Sequence, residues 1–110
     1  MAREITSVVE ITWNVNPFRG DAFEEAWRPA AEAALDYGAG GYAFFRSKDD
    51  PLLFKQYAAF DAKLDFERYW YSEEISEARA ETAGLYQVPL LPVWLRLVGA
   101  GLLSETRTPT

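Results

Sequence analysis

The chain has no cysteine and no histidine. The first absence excludes disulfides and thiol nucleophiles, and it fits a cytosolic protein. The second removes the commonest metal ligand and the side chain that titrates nearest neutral pH. A serine hydrolase therefore has no imidazole to activate its nucleophile, and no G-x-S-x-G segment is present. Positive charge is also scarce: 11 Lys and Arg stand against 17 Asp and Glu, a formal net charge of −6. A chain of this sign repels phosphate backbones, and no basic stripe with interleaved aromatics occurs, so a nucleic-acid partner is not expected. No apolar run reaches the ~18–20 residues that span a bilayer, and the opening MAREITSVVEIT has no signal-peptide core. The expectation is one cytoplasmic domain with no membrane partner and no metal.

What is abundant is aromatic. Four Trp, six Tyr and seven Phe stand in 110 residues, and 49% of the chain is hydrophobic, enough for a real core. The stretch LDFERYWYSEEI places Phe66, Tyr69 and Trp70 at i, i+3 and i+4, one stripe of a helix, with Glu67 and Arg68 turned away.

The pattern along the chain gives the elements. From Arg3 to Val15 the chain alternates, with Ile5, Ser7, Val9, Ile11, Trp13 and Val15 on one face and Glu4, Thr6, Glu10, Thr12 and Asn14 on the other, which predicts a strand. NPFRG breaks it. Asp21 is the expected N-cap of a helix, with Glu24 as its capping-box partner and Phe23, Trp27, Ala30, Ala34 and Tyr37 as the buried stripe. Glu24, Arg28 and Glu32 form a charged ladder on the opposite side, Pro29 removes one backbone hydrogen bond, and YGAGG ends the helix. Two strands, 42–47 and 52–60, are joined across the turn-rich KDDP. A helix over 62–71 is expected to be capped by Asp61, and a continuation capped by Ser72 to stop near Gly84. The last strand is read at 93–98. Residues 1–98 then form a single domain, with 99–110 as a polar C-terminal tail.

Strand, helix, strand, strand, helix pair, strand is the βαββαβ order of a ferredoxin-like α+β domain, an antiparallel sheet with helices on one face. The helix-free face should alternate to polar, yet large aromatics fall on both faces of the strands. Tyr42, Tyr57 and Trp94 are expected off the core face, and a second copy of the sheet is the simplest cover, so a homodimer is predicted. Glu10 sits mid-strand on that presumed interface, where Arg46 and Arg96 are expected to reach it.

Three segments, DAFEEAW, GAGGYAFFRSKDDPLLFKQYAAF and AKLDFERYWYSEEI, make residues 5–98 resemble the antibiotic-biosynthesis monooxygenase-like domains of the dimeric α+β barrel superfamily. That resemblance implies sheets paired into a barrel and a pocket between sheet and helices. Haem-degrading relatives carry an Asn on the first strand, a Trp ending strand three and a His on the second helix. Asn14 matches the first, but Phe60 and Tyr69 stand at the other two positions, and the usual axial histidine is missing. The resemblance instead implies cofactor-free oxygenation of an electron-rich aromatic, polyketide-like molecule. Trp13, Trp27, Phe60 and Trp70 would wall the cavity, and Asn14 or Tyr69 would bind a substrate oxygen. The alternatives left open are a non-catalytic dimeric module for an apolar small molecule, and a structural dimer whose interior is filled by its own aromatics. The adjacent acids Glu24/Glu25 and Glu73/Glu74 fall in first helical turns and do not face each other, so they suggest helix-dipole stabilisation rather than an acid–base pair.

Overall fold

Alternation in four short segments and 3.6-residue periodicity in three others fold into one four-stranded sheet with helices on one side. The structure, a computed structural model, describes residues 5–101. Most of the tail expected at 99–110 lies outside the described residues. In chain order the elements are β1 (Ser7–Asn14), α1 (Gly20–Glu32), β2 (Tyr42–Arg46), β3 (Leu53–Ala58), α2 (Lys63–Trp70), α3 (Glu73–Thr82) and β4 (Val93–Arg96). The sheet order is β2-β3-β1-β4, and all neighbours are antiparallel. This is the ferredoxin-like α+β arrangement, with the second helix split into α2 and α3.

Register decides which face each side chain takes, because directly opposed residues in a ladder point the same way. Trp13 opposes Phe54, Ile11 opposes Gln56 and Val9 opposes Ala58, and all six are buried under the helices. Phe44 continues this row from β2 opposite Gln56. Two expected placements are corrected by the same ladders. Tyr42 opposes Ala58, and Trp94 opposes Val9, so both belong to the helix side of the sheet. Trp94 packs edge-on against Phe66 of α2 at 6.1 Å between ring centroids. The open face consists of Val8, Glu10, Thr12 and Asn14 with Ala43, Phe45, Leu53, Lys55, Tyr57, Val93 and Leu95.

Helix ends follow local chemistry, with two departures. Ser72 caps α3 as its position suggested, its Oγ accepting the Ile75 N–H at 3.2 Å. Asp21 does not cap α1. That helix starts at Gly20 with Arg19 at the N-cap position and no side-chain cap, so Asp21 lies inside the first turn, and it and Glu24 both accept from the guanidinium of Arg46. The N-cap position of α2 is Ala62, one residue beyond Asp61, and an alanine has no side-chain acceptor to offer. Helix α1 runs through Pro29 and then tightens into a 3-10 turn at Ala33–Tyr37, closed by Gly38 at φ 97°. Phe18 also has a left-handed φ, 68°, at the third position of a tight turn in which the Arg19 N–H donates to the Asn16 carbonyl at 3.1 Å. A type II turn asks for glycine there, yet the residue is a phenylalanine 99% exposed.

Candidate functional site

Between sheet and helices lies a continuous aromatic interior. Trp13 comes from β1, Phe23 and Trp27 from α1, Phe44 and Phe54 from β2 and β3, and Phe66, Tyr69 and Trp70 from α2. The Trp13 and Trp27 ring centroids are 5.1 Å apart, Trp27 and Trp70 6.1 Å, and Phe60 and Tyr69 5.7 Å. Offset and edge-on pairs of this kind add to the area they bury. Trp13, Trp27, Phe60 and Tyr69 are wholly buried and Trp70 nearly so, which brings together all four of the expected wall residues with Tyr69.

One polar chain threads this interior. The Trp27 Nε1–H donates to Gln56 Oε1 at 2.8 Å, Gln56 Nε2 donates to the Tyr69 hydroxyl at 3.0 Å, and that hydroxyl donates to the Ala30 carbonyl at 2.6 Å. Ala30 lies in the last α-turn of α1, where carbonyls lose their helical partners as the 3-10 turn begins. Burial pushes the Tyr69 phenol up to about 12, against the acidifying effect of the Gln56 hydrogen bond. At neutral pH the hydroxyl is therefore a neutral donor, fully engaged with protein atoms.

Trp13 differs. Among the described residues its Nε1 is the one buried side-chain nitrogen or oxygen without a hydrogen-bond partner. A buried donor left unpaired costs about 1–3 kcal/mol.

Asn14 is not brought to this interior. It ends β1 with its side chain on the open face, exposed, opposite Leu53, while its backbone carbonyl accepts the Gln87 N–H. Glu10 is also on the open face, but its expected arginine partners are not there. The Tyr57 hydroxyl donates to Glu10 Oε2 at 2.6 Å and Lys55 Nζ approaches the same oxygen at 3.5 Å. The hydrogen bond to Glu10 is the main cause that lifts the Tyr57 phenol to about 12. Arg46 instead lies on the other face and Arg96 opposes Ser7.

Arg46 organises the edge of the interior, a role the sequence pattern did not reveal. Its Nη1 donates to Asp21 at 2.8 Å and Glu24 at 3.1 Å, its Nε donates to the Pro51 carbonyl at 2.7 Å, and its guanidinium lies over the Phe54 ring at 5.2 Å. Glycine at position 20 makes the close approach possible, since a Cβ there would run into the guanidinium and sit 3.0 Å from the Pro51 carbonyl oxygen. Glu24 also receives Arg28 at 2.9 Å. Two clefts open beside this cluster. One of about 490 Å³ lies under Pro17 and Phe18. Another of about 230 Å³ lies between α1 and the β2 edge, lined by Glu24, Arg28, Phe44, Phe45, Arg46 and Phe54.

Gln56 was the other omission. The signal was present: in the inward row Phe54, Gln56, Ala58 it is the single polar residue of an otherwise apolar face, and a buried amide implies partners. Among the described residues no group of acidic side chains could hold a metal ion, and no helix is long and apolar enough to cross a membrane.

No sequence-family model matches the chain, and no curated protein matches it in sequence. Its fold has solved counterparts. A candidate antibiotic biosynthesis monooxygenase from Nitrosomonas europaea superposes with a TM-score of 0.77 at 22% identity, covering 87% of this chain and 93% of the other. One from Bordetella bronchiseptica gives 0.71 at 20% identity, covering 84% and 98%. A structure described as an antibiotic biosynthesis monooxygenase gives 0.74 at 14% identity, covering 84% and 99%. At these identities the likeness is one of fold, and it spans nearly the whole of each partner.

Proposed function

We propose that the chain is a cytoplasmic homodimeric α+β barrel protein that takes an electron-rich, polyketide-like aromatic molecule between sheet and helices and promotes its oxygenation without a cofactor. The observation that carries this reading is the aromatic interior itself. Trp13, Trp27, Phe60 and Trp70 form its wall, and the solved proteins that share the fold include several named for antibiotic biosynthesis monooxygenase activity.

In this reading the substrate, already reactive toward oxygen as its phenolate or enolate, supplies the electrons. The protein contributes orientation and exclusion of water, and aromatic faces suit a planar ligand. Tyr69 acts as a neutral hydrogen-bonding group held by Gln56 and Ala30. A phenol raised to about 12 is a poor general base at neutral pH.

The homodimer joins the open sheet faces. Phe45, Val93 and Leu95 are between 38% and 56% exposed there, in a row interrupted by the Glu10–Tyr57–Lys55 group. Exposed apolar side chains gathered on one face mark an interaction surface. Asn14 lies on this face and, if it touches ligand, does so from the dimer side.

A second reading, a non-catalytic module that binds the same class of molecule, is favoured by the closed hydrogen bonding of Tyr69 and Gln56. Oxygen uptake decides between them. With an anthrone as probe, the folded chain should accelerate uptake well above the spontaneous rate if it is an enzyme, and leave it unchanged if it only binds.

A further inference from the structure

Two tryptophans stand side by side in the interior with opposite hydrogen-bonding fates. The Trp27 N–H is taken by Gln56, whose amide is in turn taken by Tyr69, whose hydroxyl is taken by Ala30. This chain is closed at both ends. The neighbouring Trp13 indole, 5.1 Å away between centroids and wholly buried, keeps its N–H unpaired. A phenylalanine would fill an aromatic site on β1 without stranding a donor. Packing alone does not account for an indole here.

We propose that Trp13 is the specificity-determining donor of the interior, and that its Nε1–H donates to the neutral carbonyl oxygen of an aromatic ligand entering past Phe44. This rests on the reading that the interior takes an aromatic molecule. Phe44 stands between the buried indole and the cleft. It meets Trp13 edge-on at 6.2 Å, is only partly buried, and forms one wall of the cleft between α1 and the β2 edge. In this proposal Phe44, which also packs on Phe23 and Phe54, must turn aside to admit the ligand.

The charge arrangement selects a neutral ligand. The cations at the cleft, Arg28 and Arg46, are already paired with Glu24 and Asp21, so no unpaired positive group waits for a carboxylate. A carboxylate brought to Trp13 would exchange its water shell for a single N–H, which is unfavourable. A ketone or quinone oxygen needs only one good donor, and the indole is a donor with no acceptor capacity.

The test uses the full-length wild-type protein labelled with nitrogen-15 at its indoles, titrated with 1-tetralone and, separately, with tetralin, which has the same bicyclic shape without the carbonyl. The four indole N–H resonances are assigned from through-space connectivities, without mutation. Tetralone should move the Trp13 N–H downfield and bind about tenfold more tightly than tetralin, the factor that ~1.4 kcal/mol from one hydrogen bond supplies. The Trp13→Phe variant should bind both probes with equal affinity. If tetralone binds with the Trp13 resonance unmoved, or if its preference over tetralin survives in Trp13→Phe, the assignment is overturned while the interior remains an aromatic site. If neither probe perturbs any interior indole, both the assignment and the reading beneath it fail. Should Trp13→Phe not fold, the wild-type resonance shift decides.

Discussion

Gln56 bridges Trp27 and Tyr69, accepting from one at 2.8 Å and donating to the other at 3.0 Å, at the centre of a layer that is otherwise aromatic. Replacing it with an apolar residue of similar size strands the Trp27 N–H and takes one of its two hydrogen bonds from the Tyr69 hydroxyl. Gln56→Leu should cost about 2–4 kcal/mol in urea unfolding, more than a single net hydrogen bond, because the Trp27 N–H loses its buried acceptor. An unchanged midpoint would mean that the network adds nothing to stability.

Tyr69→Phe removes the donor to the Ala30 carbonyl and the acceptor for Gln56 Nε2. Its expected cost is about 1–3 kcal/mol. Phe66→Ala is a different kind of loss. Phe66 packs on Phe60, Trp70 and Trp94 with 6% exposure, and truncation there should cost about 3–5 kcal/mol as cavity formation. Denaturant melts of the two variants should rank in that order.

The alkaline limb of stability follows from two phenols. Tyr69, through burial, and Tyr57, chiefly through its bond to Glu10, are both raised to about 12, whereas an unfolded tyrosine titrates near ~10. The unfolded chain releases these protons first. Their stabilising contribution is therefore complete below pH ~10 and falls away as the pH rises through about 12. Phenolate absorbance should show a late-titrating pair in the folded protein, reduced to one group in Tyr69→Phe. A single transition of all tyrosines near pH ~10 would contradict this.

Phe18 offers a stabilising substitution. Its φ of 68° is left-handed and its ring is almost fully exposed, so Phe18→Gly removes strain without removing packing. A gain of up to about 1 kcal/mol is expected after the entropic cost of glycine in the unfolded chain. A loss would mean that the strain at this turn is smaller than the entropic cost of glycine.

The open sheet face predicts self-association. Sedimentation at micromolar concentration should give twice the chain mass of 12.5 kDa, and Glu10→Lys should weaken the dimer by placing a second ammonium beside Lys55 and removing the acceptor of Tyr57. A wild-type monomer would leave Phe45, Val93 and Leu95 in solvent and end the barrel reading.

Much of the fold was legible because period-two and period-3.6 patterns record burial directly. The inward row Val9, Ile11, Trp13 and the helical stripe Phe66, Tyr69, Trp70 both emerged buried, and Ser72 capped α3. Facing was harder at the edge strands. Tyr42 and Trp94 are half-exposed on the helix side because the helices do not fully cover β2 and β4, and exposure at an edge looks in sequence like the opposite face. Capping by Asp21 failed because the helix begins one residue earlier, at Gly20, which puts Asp21 inside the first turn, where its carboxylate pairs with Arg46 twenty-five residues away. The row Phe54, Gln56, Ala58 signals a buried amide, but its partners Trp27 and Tyr69 lie on α1 and α2, which no local window contains.

The most direct test of the proposed activity supplies isotopically labelled oxygen gas to the purified, metal-stripped chain with an anthrone, and follows the product by mass spectrometry. The balanced reaction replaces the two ring-methylene hydrogens with one oxygen from the gas, and the second oxygen leaves as water. The account predicts labelled quinone formed well above the rate of a heat-unfolded control, and a marked loss of that rate in Trp13→Phe. Product formation at the control rate, with the anthrone bound, would contradict catalysis and leave a binding module.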